Sequence, residues 1–232
     1  MIGSFPQMKF LVVIPAYNEE EKIQAVVNGV HGAAGRQNCL VVDDGSTDST
    51  LQILIGLGTA FITRRHAGKG AALKAGFEYA ISNGFDWVIT MDGDGQHDTG
   101  EIKAFLGAIA GGDTDMVVGT RMLDTASMPF VRLATNRFMS SLISSIAGRA
   151  IPDTQCGFRA VSSEVLKKVV LRTSHYDTES ELLIKAARLG FRITSIPITT
   201  IYNGSKSKIN KFNDTLRFIR LLMRISLEGK KR

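Results

Sequence analysis

Five short apolar runs, each followed by a segment of helical spacing, constrain this chain more than any other feature. Lys9–Ile14, Cys39–Val42, Phe61–Thr63, Trp87–Met91 and Met116–Gly119 have strand length and no polar–apolar alternation. Runs of that kind are buried on both faces, which points to a parallel sheet. Between them, Ile23, Val26, Val27 and Val30 recur at helical spacing, as do Leu73, Phe77, Ala80 and Ile81, and then Ile102, Phe105, Leu106 and Ile109. Each set gives a helix one apolar face. The pattern predicts an α/β domain whose mostly parallel central sheet carries helices on both faces. Asn18 and Glu21 have the spacing of a capping box. Ser46, Thr47 or Asp48 can cap the second helix, Gly68-Lys69-Gly70 opens the third, and Asp98 caps the fourth. The second half is less regular. It holds a helical stretch from Thr135 to Ala147, an irregular Asp153–Arg159, a helix near Glu179–Leu189, a strand at Ile193–Ile196 and an amphipathic helix over about Asn213–Leu227.

Where the fourth run should stop, the chain reads Asp92-Gly93-Asp94-Gly95-Gln96-His97. Ligands of open α/β sheets bind outside the carboxyl ends of strands. Two acids one residue apart repel each other there unless a cation lies beside them. Mg²⁺ is commonly held by one or two carboxylates together with substrate phosphates. A metal–diphosphate site at Asp92 and Asp94 is the first expectation; ordinary Asp/Gly turn chemistry is the alternative. An EF-hand is excluded, because its sixth position would be His97 and its twelfth Lys103. Gly68-Lys69-Gly70 lacks the flanking residues of a P-loop. Lys69 is therefore either a diphosphate partner at a glycine-started helix or a surface lysine.

At 232 residues, with 44% hydrophobic and 22% charged residues, the chain fits one large domain. No apolar run reaches the ~18–20 residues that span a bilayer, and Met1–Gln7 lacks a secretory signal. Cys39 and Cys156 are expected as buried free thiols of a cytoplasmic protein. Residues 201–232 hold nine Lys/Arg and two acids, a net +7 against −1 for the rest. A nucleic-acid binder would show a broader basic patch with aromatic residues, so none is expected. The division expected is residues 1–7 as an extension, 8–200 as the catalytic domain and 201–232 as a basic segment. In its helix, Arg217, Arg220 and Arg224 form one stripe and Leu216, Ile219 and Met223 another. That helix lies on an anionic membrane face or packs on the domain or a second copy.

Taken in order, Pro15-Ala16-Tyr17-Asn18-Glu19, Asp43-Asp44-Gly45-Ser46-Thr47-Asp48, Gly68-Lys69-Gly70, Asp92-Gly93-Asp94, Gly119-Thr120-Arg121, Asn136-Arg137 and Asp153…Gly157-Phe158-Arg159 form a specific set over roughly residues 8–200. In this set the sequence resembles the family-2 glycosyltransferases, in particular the dolichol-phosphate mannosyltransferase-like branch. The resemblance implies a GT-A fold and inverting, metal-dependent transfer from a nucleoside-diphosphate sugar. It implies that Pro15, Ala16, Tyr17, Glu19, Val41, Asp43, Lys69, Gly93 and Lys208 bind the sugar nucleotide, and that Asp92 and Asp94 hold Mg²⁺ or Mn²⁺. Arg121, Arg137 and Arg159 are expected around an anionic acceptor. Asp92, Asp94, Arg121 and Glu179 are the expected catalytic set, with Glu179 or Asp177 as general base if the acceptor is a hydroxyl. An acceptor phosphate is already ionised and needs none. The branch's C-terminal phosphate clamp is altered, since Tyr202 stands in its arginine place and Ser205 in its glycine place, while Ser207-Lys208 fits. The expected acceptor is a polyprenyl phosphate at the cytoplasmic membrane face; a glycan hydroxyl is the alternative. A nucleotidyltransferase is disfavoured by the Pro15–Glu19 sequence after strand one, and a non-catalytic binding protein by the intact acid pair.

Overall fold

Along β1 (Phe10–Ala16), Leu11 and Val13 face one layer of helices and Val12 and Ile14 the other, and all four are buried. Burial on both sides is why the strand shows no alternation. The computed structural model describes residues 8–122, 130–199, 201 and 211–228. Its other strands are β2 (Cys39–Asp43), β3 (Ala60–Thr63), β4 (Trp87–Thr90), β5 (Met116–Thr120), β6 (Arg159–Ser162) and β7 (Ile193–Pro197). Together they form one sheet of order β3-β2-β1-β4-β6-β5-β7. Helices α3 (Lys69–Ser82), α5 (Phe130–Ala147), α6 (Ser163–Lys168), α7 (Asp177–Arg188) and α8 (Lys211–Glu228) cover one face. Helices α1 (Ile23–Ala34), α2 (Thr50–Leu57) and α4 (Ile102–Ala110) cover the other.

The chain runs outward from β1 to β3 and then returns to lay β4 on the free side of β1. That reversal opens a crevice at the carboxyl ends of β1 and β4, where an open sheet places its ligand. β6 is the exception to parallel pairing, running antiparallel to both β4 and β5. Its first residue, Arg159, therefore lies opposite Thr90 and Val118 at the same edge as the crevice. The loop before β6 is delivered to the site by this reversed strand.

Two local expectations change. α1 begins at Ile23 without a side-chain cap, and Asn18 adopts a positive φ of 52° and binds the neighbouring loop instead. Arg159, expected to close an irregular stretch, instead opens a strand, Arg159–Ser162, that was not expected. Asp98 does cap its turn, accepting from the Gly100 N–H at 2.8 Å. Cys39 and Cys156 are buried free thiols, and burial pushes their pKa up to about 11 and about 12. Among the described residues, no helix is long and apolar enough to cross a membrane.

Candidate active site

Two strand-end loops form the first wall of the crevice. After β1, Asn18 N–H donates to Ser46 Oγ at 2.9 Å and Glu19 N–H to Thr50 Oγ1 at 2.8 Å. In return, Thr47 N–H donates to Asn18 Oδ1 at 2.8 Å and Ser49 N–H to Glu20 Oε2 at 2.9 Å. Asp43, at the end of β2, is buried and accepts from Ser46 N–H at 3.2 Å. Asp44 turns the other way. Its carboxylate accepts from Gly68 N–H at 2.7 Å and meets His66 Nδ1 at 2.9 Å and Arg64 Nε at 3.3 Å. This tie fixes residues 64–68, so that the His66 ring stacks on Tyr17 with centroids 4.1 Å apart. Pro15 and Ala16 are buried behind that stack. Val41, expected among the donor contacts, is fully buried among Ile14, Ile23 and Leu54. Its side chain belongs to the core, since a central strand points that position into the helix layer.

The acid pair follows β4. Asp92 Oδ1 lies 2.6 Å from Lys69 Nζ, and its Oδ2 lies 3.7 Å from His97 Nε2. Burial opposes its ionisation, but the Lys69 ammonium, with His97, holds its pKa well below the usual carboxylate range. Asp94 accepts from Gln96 N–H at 3.0 Å; burial and the Asp92 charge together raise its pKa. Gly93 lies against Pro15 and Glu19, joining this loop to the first wall. The His97 ring packs on Phe158, with Nδ1 buried and without a partner among the described residues.

Lys69 is no surface lysine. Its ammonium bridges Asp92 and, at 3.1 Å, Glu179, and lies 5.7 Å from the Tyr176 ring centre. Burial disfavours its charge, yet the two carboxylates raise its pKa. The glycines around it have a packing role. A Cβ on Gly70 would run into Thr178 Oγ1, so only glycine lets the start of α3 sit on the start of α7. That seam places Lys69 and Glu179 within reach of each other.

The third wall comes from the loop before β6. Thr90 Oγ1 donates to Gly157 O at 2.8 Å, and a Cβ on Gly157 would come within 2.7 Å of Asp92 Oδ2. Arg159, expected beside the acceptor, lies beneath this loop and is 2% exposed. It donates to Cys156 O at 2.7 Å, Glu179 O at 2.7 Å and Thr154 O at 2.8 Å. With all three nitrogens on backbone carbonyls, Arg159 braces the site from inside. Arg121 does reach the crevice edge. Its Nε and Nη2 bind the fully buried Asp153 at 2.8 and 3.0 Å, and Asn136 Nδ2 joins the same carboxylate at 3.0 Å. Burial acts against both charges, but the pairing lowers the Asp153 pKa and raises that of Arg121. Arg121 Nη1 makes no hydrogen bond with the described residues. Arg137, expected in the same pocket, stands exposed on α5 while its neighbour Asn136 points inward. Asp153 and Asn136 were not singled out from sequence, although both stand in the motifs that flank Arg121. Ile201 N–H donates to Gln96 O at 2.9 Å, which brings the chain past the acid loop. Lys208 lies outside the described residues.

Asp92 and Asp94 present hard oxygen donors that suit Mg²⁺ or Mn²⁺. Burial and then the Asp92 charge raise the Asp94 pKa, and a cation beside the pair would offset both. Among the described residues no three His, Cys, Asp or Glu side chains group as ligands. Diphosphate oxygens and water would have to complete a shell begun by this pair.

A crevice at the β1–β4 switch point, walled by the laced loops after β1 and β2 and by an acid pair, defines a transferase of the GT-A fold. The glycosyl transferase family 2 model matches residues 11–170; the chain belongs to that family and is a glycosyltransferase. It is 33% identical over 207 residues to the polyprenol monophosphomannose synthase of Mycolicibacterium smegmatis, covering 84% of this chain and 78% of that one. It is also 33% identical over 214 residues to a UDP-N-acetylglucosamine–dolichyl-phosphate N-acetylglucosaminyltransferase of Methanococcus voltae, with 82% and 85% covered. Glucosyl-3-phosphoglycerate synthase of Mycobacterium tuberculosis in complex with UDP superposes with a TM-score of 0.76 at 21% identity, over 94% of this chain and 80% of that one.

Proposed function

We propose that the chain transfers a hexose from a nucleoside-diphosphate sugar, GDP-mannose or a UDP-hexose, to a polyprenyl phosphate at the cytoplasmic membrane face, with inversion. The observation that carries the acceptor class is the Lys69–Glu179 pair. Both Glu179 oxygens face the Lys69 ammonium, at 3.1 and 3.3 Å, an arrangement that suits a residue positioning Lys69 better than a base open to an acceptor hydroxyl. A phosphate acceptor removes the need for one. Relatives at 33% identity act, by name, on polyprenol and dolichyl phosphates, which supports the same reading.

In the reaction, an acceptor phosphate oxygen attacks the anomeric carbon as the bond to the donor's β-phosphate oxygen breaks. The nucleoside diphosphate leaves with the bonding electrons, and no proton moves. A divalent cation held by Asp92 and Asp94 would neutralise the charge on the departing diphosphate. Tyr17, Glu19 and Asp43 orient the nucleoside. Lys69 holds Asp92 ionised and in place, and Glu179 positions Lys69. Arg121, fixed by Asp153, aims Nη1 at the anionic acceptor, where a held guanidinium suits a phosphate.

The test is transfer from a panel of GDP- and UDP-sugars with Mg²⁺ or Mn²⁺, offered either a polyprenyl phosphate or the matching polyprenol. Glycolipid should form from one donor with the phosphate only. Asp94→Asn should abolish it, while Glu179→Gln should retain measurable turnover. Transfer to a hydroxyl, lost in Glu179→Gln at unchanged donor affinity, would move the acceptor class and make Glu179 a base.

A further inference from the structure

Asp177 and Glu179 lie two residues apart at the start of α7 and so point to opposite flanks. Glu179 faces the acid pair, whereas Asp177 faces a separate cavity of about 260 Å³. Arg172, His175 and Asp177 line one wall of it, and Arg217, Arg220 and Arg224 of α8 line the other. We propose that this cavity is a phosphate-binding site, distinct from the donor–metal crevice, that takes a phosphate monoester or diester.

Arg172, Arg217, Arg220 and Arg224 line the cavity, Asp177 is the acid in its lining, and Glu181 reaches Arg224 from beside it. Arg220 is exposed, and no acid among the described residues pairs with it. Arg224 Nη2 lies 3.4 Å from Glu181 Oε1, but that oxygen already takes Lys185 Nζ at 2.7 Å. Arg224 Nε is buried without an acceptor among the described residues, and a buried donor in that state is costly. Asp177 Oδ1 is likewise buried with no partner among the described residues, and burial raises the Asp177 pKa. The three α8 arginines recur at three- and four-residue spacing, so their forks converge along one stripe. Guanidinium forks match phosphate oxygens in pairs, which compact ammonium groups do not. The wall they face continues into the active site. Ser174 O accepts from Ala71 N–H at 2.9 Å, in the first turn of α3. A bound phosphate therefore braces the segment on which the Lys69 helix begins.

Such a phosphate can come from a lipid headgroup or from a small solute. The experiment uses the full chain without divalent metal, so that the acid pair repels anions in the other crevice. Inorganic phosphate is titrated while melting temperature and ³¹P line width are followed. A flotation arm uses phosphatidylcholine vesicles with and without phosphatidic acid. The test variant is Arg172→Gln/Arg220→Gln, and the control is Lys103→Gln/Lys167→Gln, which removes the same charge from other exposed positions. Saturable phosphate binding in the wild type and control, weakened about ten-fold or more in the test variant, supports the site. Arg220→Gln alone should give a smaller drop in the same direction. Phosphatidic-acid vesicles that bind and are displaced by phosphate identify a headgroup; phosphate binding without vesicle binding identifies a solute. Equal phosphate affinity in the wild type and Arg172→Gln/Arg220→Gln overturns the proposal. So does an absence of saturation together with equal vesicle binding by the two double variants.

Discussion

Lys69 holds two carboxylates that would otherwise face each other across the crevice. Its ammonium lies 2.6 Å from Asp92 and 3.1 Å from Glu179, with its side chain 16% exposed. Lys69→Met leaves both acids without their partner, and breaking such a pair costs about 3 kcal/mol. Urea unfolding should show that loss, and transfer should fall with it; an unchanged urea midpoint would mean that water replaces the ammonium at no cost. Asp94 presents the opposite case. Burial and the Asp92 charge raise its pKa, so its ionisation opposes folding when no cation is present. Asp94→Asn should therefore raise the melting temperature of the metal-free protein while removing transfer. A lower melting temperature would show instead that the carboxylate's bond to Gln96 N–H outweighs the repulsion.

The seam between α3 and α7 is what brings Lys69 to Glu179, and it depends on Gly70. Gly70→Ala places a methyl against Thr178 Oγ1 and forces the two helix starts apart. Overpacking of this kind costs about 1–3 kcal/mol, so the urea midpoint should drop. Transfer should drop further than stability alone explains, because the Lys69 bridge lengthens. Full activity in Gly70→Ala would show that Thr178 can turn aside freely. Elements of this size were unequally legible in the sequence. β1, β2, β4 and β5 announce themselves as unbroken apolar runs because both faces of each are covered. β6 does not, since Ala160 and Val161 are its only apolar residues and its pairing comes from β4 and β5, far away in the chain. The same gap explains Arg159. Arginine in a motif reads as an anion contact, and only the reversed strand shows that it sits under the loop with three carbonyls to bind. Asp92 and Asp94 were legible because two adjacent acids at a strand end need an explanation. The Asp153–Asn136 support of Arg121 was not, because it joins residues 32 and 17 apart through a loop of no regular structure.

Across the whole molecule, buried carboxylates of two kinds set how stability responds to pH. Asp92, Asp153 and Glu181 are desolvated, yet Lys69, Arg121 and Lys185 respectively bring each pKa below its ordinary value. A carboxylate with a lowered folded pKa stabilises the fold fully above its unfolded pKa of about 4. That contribution disappears as pH falls through the folded value. Asp94 and Asp177 are raised, chiefly by burial. Their protonation as pH falls from neutrality relieves a cost, so they act in the opposite sense and at higher pH. The metal-free protein should therefore be most stable in mildly acid solution and lose stability steeply below about pH 4. Urea unfolding across that range gives the curve. Asp94→Asn/Asp177→Asn should flatten the rise on the neutral side and leave the acid limb in place. Asp153→Asn should instead shallow the acid limb, because Arg121 would no longer hold an ionised partner at the crevice edge. An acid limb of unchanged slope in Asp153→Asn would remove the Arg121–Asp153 pair from the account of stability. It would leave that pair only the task of aiming Nη1 at the acceptor.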